Sequence, residues 1–513
     1  MKKIIKEILN QNSMLKNEIK GLPDIGRRKD GEHFSRCISE TAKSINFVSK
    51  ETKKMERKLS EKTPKYSFAS GDPLNYKPFK YSIKEMKKIL NNKEQYKYPT
   101  ISGGETERKK ILEYLAKEGF VNNCPYKNSR VIINGLTLDN IAFTMSTTQA
   151  FSMVLDVILR PYDVIIIPGP NYSLFTFSAE RIDACVEMIE LKEDDDWLIN
   201  PQSLRKKIDN INKKLEKKHK NSNIKYIPRV KAYLNCNPSN PTGKVLSEKN
   251  INILRELSEI ANEKEIFIID DMVYRDISYD KNNIAKPLAT LPKNFENTIT
   301  LLGLSKSYGL ASARAGIVVA DEIIIREIRN KLFQHMDSFP NIQIAALVGA
   351  FNASDRRYKY YNNYFSKLRN AYVYRYKIIV ALIGGIDKIQ DKKHKKKIIK
   401  LINNIIPKKD KDIILKNGIK GIKLINNMTP EAGFFTLIDF TELKNKKYKN
   451  IIIKTDRDLL EFFFCNKRVK FLIGSSFSFP SKNELIARIT FALEPEELVK
   501  SFYEIYNAIK LLK

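Results

Sequence analysis

The chain has 513 residues, of which 42% are hydrophobic and 10% aromatic, a composition typical of a globular protein with room for two domains. The formal net charge is +32, but the lysines are spread over many segments and not gathered with aromatic residues on one face, so we expect no nucleic-acid partner. No apolar run approaches the roughly 18 residues that span a bilayer, so we expect no membrane association.

The first 65 residues are interpreted as an N-terminal arm outside the main domain. They are rich in lysine and glutamate, and Ile4 to Ile19 has the apolar spacing of an amphipathic helix. The same composition also fits a loosely ordered tail.

Residues 66–340 are predicted to form a large α/β domain, because short continuous apolar runs alternate with helix-length segments. Uninterrupted apolar strands interleaved with helices are typical of a mostly parallel sheet covered on both faces. Such sheets bind ligands at the carboxyl ends of their strands. The predicted strands are Ser67–Tyr76 (running into a turn), Asn140–Ser146, Asp163–Pro168, Lys231–Asn235, Ile266–Ile269 and Thr298–Leu302. The predicted helices are Ile83–Leu90, Glu105–Gly119 and Thr147–Leu159.

Residues 341–513 are predicted to form a smaller α+β C-terminal domain. Within it, residues from about 387 to 427 are strongly basic, and we interpret them as a solvated surface insertion. The predicted helices are Ile342–Asn352, Tyr358–Leu382 and Glu496–Leu512, and the predicted strands are Pro430–Phe440 and Ala487–Pro495.

The cysteines and histidines indicate a reducing compartment and no metal site. Five widely spaced cysteines form no CxxC pair, and four histidines show no metal-ligand spacing. The N-terminal residues lack the continuous apolar segment of a secretory signal peptide. We therefore expect a cytoplasmic protein without a metal.

One lysine follows a predicted strand in a turn that is rich in glycine and small residues. Ser305 and Lys306 come directly after the apolar run, and Arg314 lies eight positions beyond the lysine. A desolvated lysine beside another cation has a lowered pKa, so its free amine can attack a carbonyl. The planar donors of Arg314 suit a phosphate. In a lysine-rich chain, however, one lysine is more often a solvated surface charge.

Two further motifs lie at or just after the ends of predicted strands in the same domain. Asn240 to Gly243 reads Asn-Pro-Thr-Gly, a rigid turn presenting an amide side chain, although ordinary Asn-Pro turns are common. Asp271 ends the next predicted strand, with Tyr274 three residues later. An aspartate at this position could equally be a helix cap.

The ordered set of motifs resembles the class I/II aminotransferases, which are pyridoxal-phosphate enzymes of fold type I. The set comprises Gly-Asp-Pro, Tyr-Pro-Thr-x-x-Gly, Asn-Pro-Thr-Gly, Asp-x-x-Tyr, Ser-Lys with arginine at plus eight, and a late Arg-Ile-x-Phe. The resemblance covers roughly Ser67 to Lys513 apart from the basic insertion. It implies pyridoxal 5′-phosphate as cofactor, an amino acid and a 2-oxo acid as substrates, and a homodimer with shared active sites.

The resemblance also implies a role for each matching residue. Lys306 would hold the cofactor as an imine and carry a proton between substrate Cα and cofactor C4′. Asp271 would pair with the pyridinium nitrogen, and Tyr172 would stack on the ring. The remaining cofactor contacts would come from Asn240 and Tyr274 at the ring oxygen and from Ser146, Thr147, Thr148, Ser305 and Arg314 at the phosphate, with Tyr98 reaching the phosphate bound in the partner subunit. The substrate carboxylate would meet Arg488, Gly71 and Asn240.

Transfer of an amino group from an L-amino acid to a 2-oxo acid is therefore the predicted activity. Elimination, decarboxylation or oxidation on the same fold is the nearest alternative, because the outcome depends on which Cα bond stands perpendicular to the cofactor ring. A cofactor-binding regulator would need an N-terminal DNA-reading unit, for which residues 1–65 are short and carry no clear turn signal.

Overall fold

The computed structural model describes residues 66–513 except 74–75, 126–128, 221–225, 426–429 and 482. The predicted helix from Ile4 to Ile19 lies outside the described residues. None of the helices in the described part combines the length and apolarity that a bilayer crossing requires. The α-helices are α1 (Lys80–Leu90), α2 (Glu105–Lys117), α3 (Ser146–Ile158), α4 (Leu174–Glu180), α5 (Pro201–His219), α6 (Ile251–Lys264), α7 (Glu322–Met336), α8 (Asn341–Ala350), α9 (Asp355–Gly384), α10 (Lys392–Ile405), α11 (Lys408–Asn417), α12 (Asp456–Lys467) and α13 (Pro495–Ile509).

A seven-stranded sheet forms the centre of the α/β part of the chain. Its strands are β1 (Ile141–Thr144), β2 (Val164–Gly169), β3 (Cys185–Glu190), β4 (Val230–Cys236), β5 (Phe267–Asp271), β6 (Thr298–Gly303) and β7 (Gly316–Val319). They are ordered β1-β7-β6-β5-β4-β2-β3 across the sheet. Only β7 runs antiparallel to its neighbours. The inner strands β2 and β6 are buried along their whole length, and β4 and β5 along most of theirs, because helices cover both faces.

The predicted strands of this sheet are confirmed to within one or two residues at their ends, and two strands were missed. The edge strand β3 has only two buried residues, Cys185 and Ile189, so it lacks the continuous apolar run by which the inner strands were recognised. The antiparallel β7 is a buried run of four residues, Gly316 to Val319, and its sequence carries no sign of strand direction.

A second, antiparallel sheet lies in the C-terminal part. Its strands are β8 (Lys423–Leu424), β9 (Phe435–Asp439), β10 (Leu472–Ile473) and β11 (Ile486–Thr490), in the order β8-β9-β11-β10. The predicted strands at 430–440 and 487–495 correspond to β9 and β11. The first described strand, Tyr66–Ser67, pairs with Val469–Lys470, which ties the start of the described chain to this C-terminal part. The boundary between residues 340 and 341 stays a prediction.

The basic insertion is folded and packed, not merely solvated. It contains α10 and α11, whose lysines are largely exposed while Ile398, Ile402 and Ile414 are fully buried in the hydrophobic core. The buried carboxylate of Asp410 accepts hydrogen bonds from the hydroxyl of Tyr503, at 2.8 Å, and from Lys510, at 3.1 Å. The isoleucines spaced along the lysine-rich helices therefore anchor the segment to α13 and the core.

Candidate active site

A cavity of about 640 Å³ opens at the carboxyl ends of the inner strands β4, β5 and β6. This is the edge at which a parallel sheet places its ligands. The structure brings all but two of the predicted site residues to its walls: Gly71, Thr147, Thr148, Tyr172, Asn240, Asp271, Tyr274, Ser305, Lys306, Arg314 and Arg488. The residues that were predicted at strand ends therefore lie around a single cavity.

Lys306 follows β6 and lies in the wall of the cavity. Its Nζ donates a hydrogen bond to the carbonyl oxygen of Gly71 at 2.5 Å. Burial is the main cause that lowers the pKa of Lys306 to about 8; Arg488 and Arg314 contribute to the shift, and the Asp72 carboxylate opposes it. The amine is therefore far easier to deprotonate than that of a surface lysine.

Asp271 ends β5 and is almost fully buried. Burial raises its pKa to about 6, whereas the backbone N–H of Val273, at 3.1 Å, and the charge of Lys306 favour the ionised form. Its neighbour in register on β4 is Cys236, which also lines the cavity. At neutral pH the carboxylate is largely ionised, so the cavity holds a buried negative charge suited to a cationic ligand atom.

The opposite end of the cavity combines a helix N-terminus with an arginine. Ser146 begins α3 with a φ of 73°, and its hydroxyl accepts hydrogen bonds from the guanidinium of Arg314 and, at 3.3 Å, from the backbone N–H of Thr148. A Cβ on Gly316 would lie 2.8 Å from the backbone carbon of Ser146, so glycine is required for β7 to pass this loop. A helix N-terminus beside an arginine is a typical phosphate-binding arrangement.

Arg488, on β11, is a buried cation without an ion-pair partner among the described residues. Its Nη1 donates to Asn240 Oδ1 at 3.4 Å and its Nη2 to the carbonyl oxygen of Ala69 at 3.1 Å. Its guanidinium carbon lies 4.1 Å from the ring centroid of Phe435. Nε is buried and makes no hydrogen bond, and burial lowers the pKa of the side chain to about 10. With donors still unused, Arg488 is arranged to bind an anion.

Two tyrosines lie between these charged groups. The side chain of Tyr172 is 43% exposed and packs edge-on against Phe175, with 5.7 Å between ring centroids. Tyr274 is buried against Phe434 and Phe435, and burial raises its pKa well above the usual range. Tyr274 therefore stays a neutral hydroxyl donor, while Tyr172 presents a free ring to the cavity.

Two predicted residues do not line the cavity in the described chain. Ser146 lies behind Arg314, which it contacts directly. Tyr98 is 89% exposed, and its proposed contact with a partner subunit stays a prediction. Sequence reasoning missed Asp72 and Phe435, both at the cavity wall. Asp72 sits inside the Gly-Asp-Pro motif, so that motif could have pointed to it, whereas Phe435 is one of many apolar strand residues.

The comparisons with known proteins agree with this geometry. The family model for aminotransferase class I and II matches residues 63–395. The aspartate aminotransferase of Musicola paradisiaca is 26% identical over 288 residues, which is 55% of this chain and 61% of that relative. The probable aspartate/prephenate aminotransferase of Aquifex aeolicus is 22% identical and aligns over 81% of this chain and 84% of its own length.

Solved structures share the fold over most of the chain. The aspartate aminotransferase from Rhizobium meliloti superposes with a TM-score of 0.68 at 19% identity, covering 91% of this chain and 96% of that one. The aromatic aminotransferase from Pyrococcus horikoshii gives a TM-score of 0.63 at 20% identity, covering 90% and 98%. These structures have the fold type I architecture that the sequence predicted.

Proposed function

Because the chain belongs to the aminotransferase class I and II family, whose members depend on pyridoxal phosphate, we propose that it transfers an amino group from an L-amino acid to a 2-oxo acid. The observation that carries this proposal is the meeting of three groups in one cavity. Lys306 and Asp271 follow neighbouring strands, and both open into the space that contains the unpaired Arg488.

The residues around the cavity fit pyridoxal phosphate. The N–H groups at the start of α3, with Thr147, Thr148 and Arg314, would hold the phosphate, and the buried carboxylate of Asp271 would hold a protonated ring nitrogen. Tyr172 offers the exposed ring face that a planar cofactor would stack against. When bound, the cofactor supplies an aldehyde that bonds to amines and a ring that accepts electrons from the substrate.

Lys306 performs the proton transfers in this proposal. With a pKa of about 8, about a tenth of the side chain is the free amine at pH 7, compared with well under a thousandth for an ordinary lysine. In this form Nζ could hold the cofactor's aldehyde as an imine, with release of water, and could serve as the base that takes the proton from the substrate Cα and later returns it. The Gly71 carbonyl oxygen, 2.5 Å away, fixes the starting position of Nζ.

Arg488 orients the substrate. It binds the α-carboxylate through its unused donors, and Asn240 and Phe435 hold the guanidinium in place. A carboxylate fixed at this point determines which Cα bond faces Lys306, and a Cα–H bond directed at the amine leads to proton transfer. The family match favours this outcome over elimination or decarboxylation.

The wider proposal includes a homodimer with a cytoplasmic, biosynthetic role in amino-acid metabolism. The support for a dimer is the exposure of Tyr98 and of the nearby Tyr96, which are 89% and 68% exposed. Large exposed aromatic residues of this kind are common at subunit interfaces. Light scattering of the purified protein would test the oligomeric state, and a Tyr98→Phe variant that weakens cofactor binding would support a shared site.

Product analysis tests the activity. The purified protein, loaded with pyridoxal phosphate, is incubated with an amino-acid panel in the presence and absence of a 2-oxo acid. We expect a new amino acid only when the 2-oxo acid is present, and no activity in Lys306→Ala. The control Lys109→Ala removes an exposed lysine and should leave the rate unchanged. Catalytic release of ammonia or carbon dioxide without the acceptor would contradict the proposal.

A further inference from the structure

Two apolar side chains flank Arg488 in the cavity. Leu472 on β10 is the direct partner in register of Arg488 on β11, so both side chains leave the same face of the sheet and lie side by side. Leu472 is only partly buried and lines the cavity. On the other side, the ring of Phe435 lies against the guanidinium. The arginine is therefore flanked by an aliphatic side chain and an aromatic ring.

Phe477 extends this apolar surface. It lines the same cavity, and its carbonyl oxygen accepts a hydrogen bond from the backbone N–H of Asn171 at 2.9 Å. This bond holds the turn after β10 against the loop after β2, which carries Tyr172. Phe477 is thus fixed between the second sheet and the loop that bears the exposed tyrosine ring.

An exposed carboxylate also lines the cavity. Asp72 lines the cavity and is exposed, and its carboxylate accepts a hydrogen bond from Ser70 Oγ at 2.7 Å. Asp72 would repel a second carboxylate on an incoming substrate. That carboxylate would also lose its hydration beside Leu472 and Phe477 without gaining a polar partner from either side chain. An apolar side chain would instead remove apolar surface from water on both sides.

We propose that the amino donor carries an uncharged, apolar or aromatic side chain, and that Leu472 and Phe477 are the residues that select it. The inference rests on the proposed function, because it takes the α-carboxylate to be bound by Arg488. An amino acid held there directs its side chain along Leu472 towards Phe477, and the hydrogen bond from Asn171 keeps that wall in position.

The test is the binding of two carboxylates that lack an amino group, measured by calorimetry on the cofactor-loaded protein. Hydrocinnamate carries one carboxylate and a phenyl ring, whereas succinate carries two carboxylates. Since burial of a phenyl ring contributes about tenfold or more to affinity, we expect hydrocinnamate to bind at least about tenfold more tightly. Equal or tighter binding of succinate would overturn the proposal.

Variants of Leu472 locate the effect. Leu472→Ala should weaken hydrocinnamate binding about tenfold, and Leu472→Arg should reverse the preference towards succinate. Leu424→Ala is the matched control, because Leu424 is also a partly buried leucine on an edge strand of the same sheet but lies away from this cavity. If both Leu472 variants fold normally and still prefer hydrocinnamate over succinate as the parent protein does, Leu472 does not select the side chain.

The two proposals fail in different ways. If the protein does not bind pyridoxal phosphate, the proposed function fails. If it binds the cofactor and transfers amino groups but prefers acidic donors over leucine and phenylalanine, only the assignment of the side-chain pocket is wrong. Retention of cofactor absorbance in Leu472→Ala and Leu424→Ala separates a specificity effect from loss of the folded site.

Discussion

Replacement of Arg488 by methionine should abolish carboxylate binding without destabilising the fold. Most buried arginines are paired with carboxylates, and removing one leaves the partner charge unpaired, which costs about 3–5 kcal/mol. Arg488 has no such partner among the described residues, and its contacts are the neutral Asn240, the carbonyl of Ala69 and the ring of Phe435. Its removal therefore leaves no buried charge behind.

The expected magnitude follows from the pKa of Arg488. Burial lowers this pKa from its usual value to about 10, and at about 1.36 kcal/mol per pKa unit the folded protein holds the charge at a cost of about 3 kcal/mol. Because the unfolded chain retains the ordinary pKa, this cost is present in full at pH 7 and is relieved only above about pH 10. Loss of the stacking on Phe435 and of two hydrogen bonds offsets about 2 kcal/mol of the gain. The net change is between zero and about 1 kcal/mol of stabilisation.

A second buried arginine provides the control. Burial alone would lower the pKa of Arg275, but Glu118 and Asp276 raise it well above the usual range, and its guanidinium forms ion pairs with both carboxylates. Arg275→Met should therefore lose about 3–5 kcal/mol. Urea unfolding of both variants, followed through the buried Trp197, the single tryptophan of the chain, measures the difference. An Arg488→Met variant destabilised as strongly as Arg275→Met would refute the reasoning.

Three further outcomes are expected. Labelling of the unliganded protein with an amine-reactive aldehyde should show Lys306 reacting with a midpoint near pH 8. Asp72→Asn should move this midpoint lower, because the Asp72 carboxylate raises the pKa of Lys306. An unchanged midpoint would contradict the assignment of this titration to Lys306. Gly316→Ala should weaken pyridoxal phosphate binding at least about tenfold by displacing the backbone at Ser146, with peptide hydrogen exchange as the readout of that displacement. Asp410→Asn should destabilise the protein by about 1–3 kcal/mol at pH 7. Hydrogen bonds from Tyr503, Lys510 and Tyr506 lower the pKa of Asp410, although burial opposes them. The difference in unfolding free energy between variant and parent should therefore vanish as the pH falls below about 4, where Asp410 becomes protonated.

The part of the site that was predictable from sequence is the part that depends on strand ends. Asp271 and Lys306 each follow a continuous apolar run, and such runs are recognisable because an inner strand of a covered sheet is apolar along its whole length. Parallel strands bring their carboxyl ends to one edge, so the two residues could be placed together without a structure. The ordered motifs added Asn240 and Arg488, which lie far from them in sequence.

The part that was not predictable depends on contacts between distant segments. The hydrogen bond between Arg314 and Ser146 joins residues 168 positions apart, and no local pattern records it. The register of Leu472 against Arg488 depends on a strand of two residues, which is too short for a periodicity to indicate. In α10 the lysines dominate the composition and obscured the buried Ile398 and Ile402 that hold the helix against the core.

The charged groups of the cavity lower the stability of the folded protein and favour the binding of a charged ligand. Asp271 is an acid whose pKa burial raises to about 6, and Lys306 and Arg488 are bases whose pKa values burial lowers to about 8 and about 10. Each shift means that the fold holds a charge at a cost that an apolar side chain would avoid. A ligand that brings a cationic ring atom to Asp271 and a carboxylate to Arg488 offsets these costs at both places. Part of the binding free energy of such a ligand therefore comes from neutralising charges that the folded protein otherwise holds at a cost.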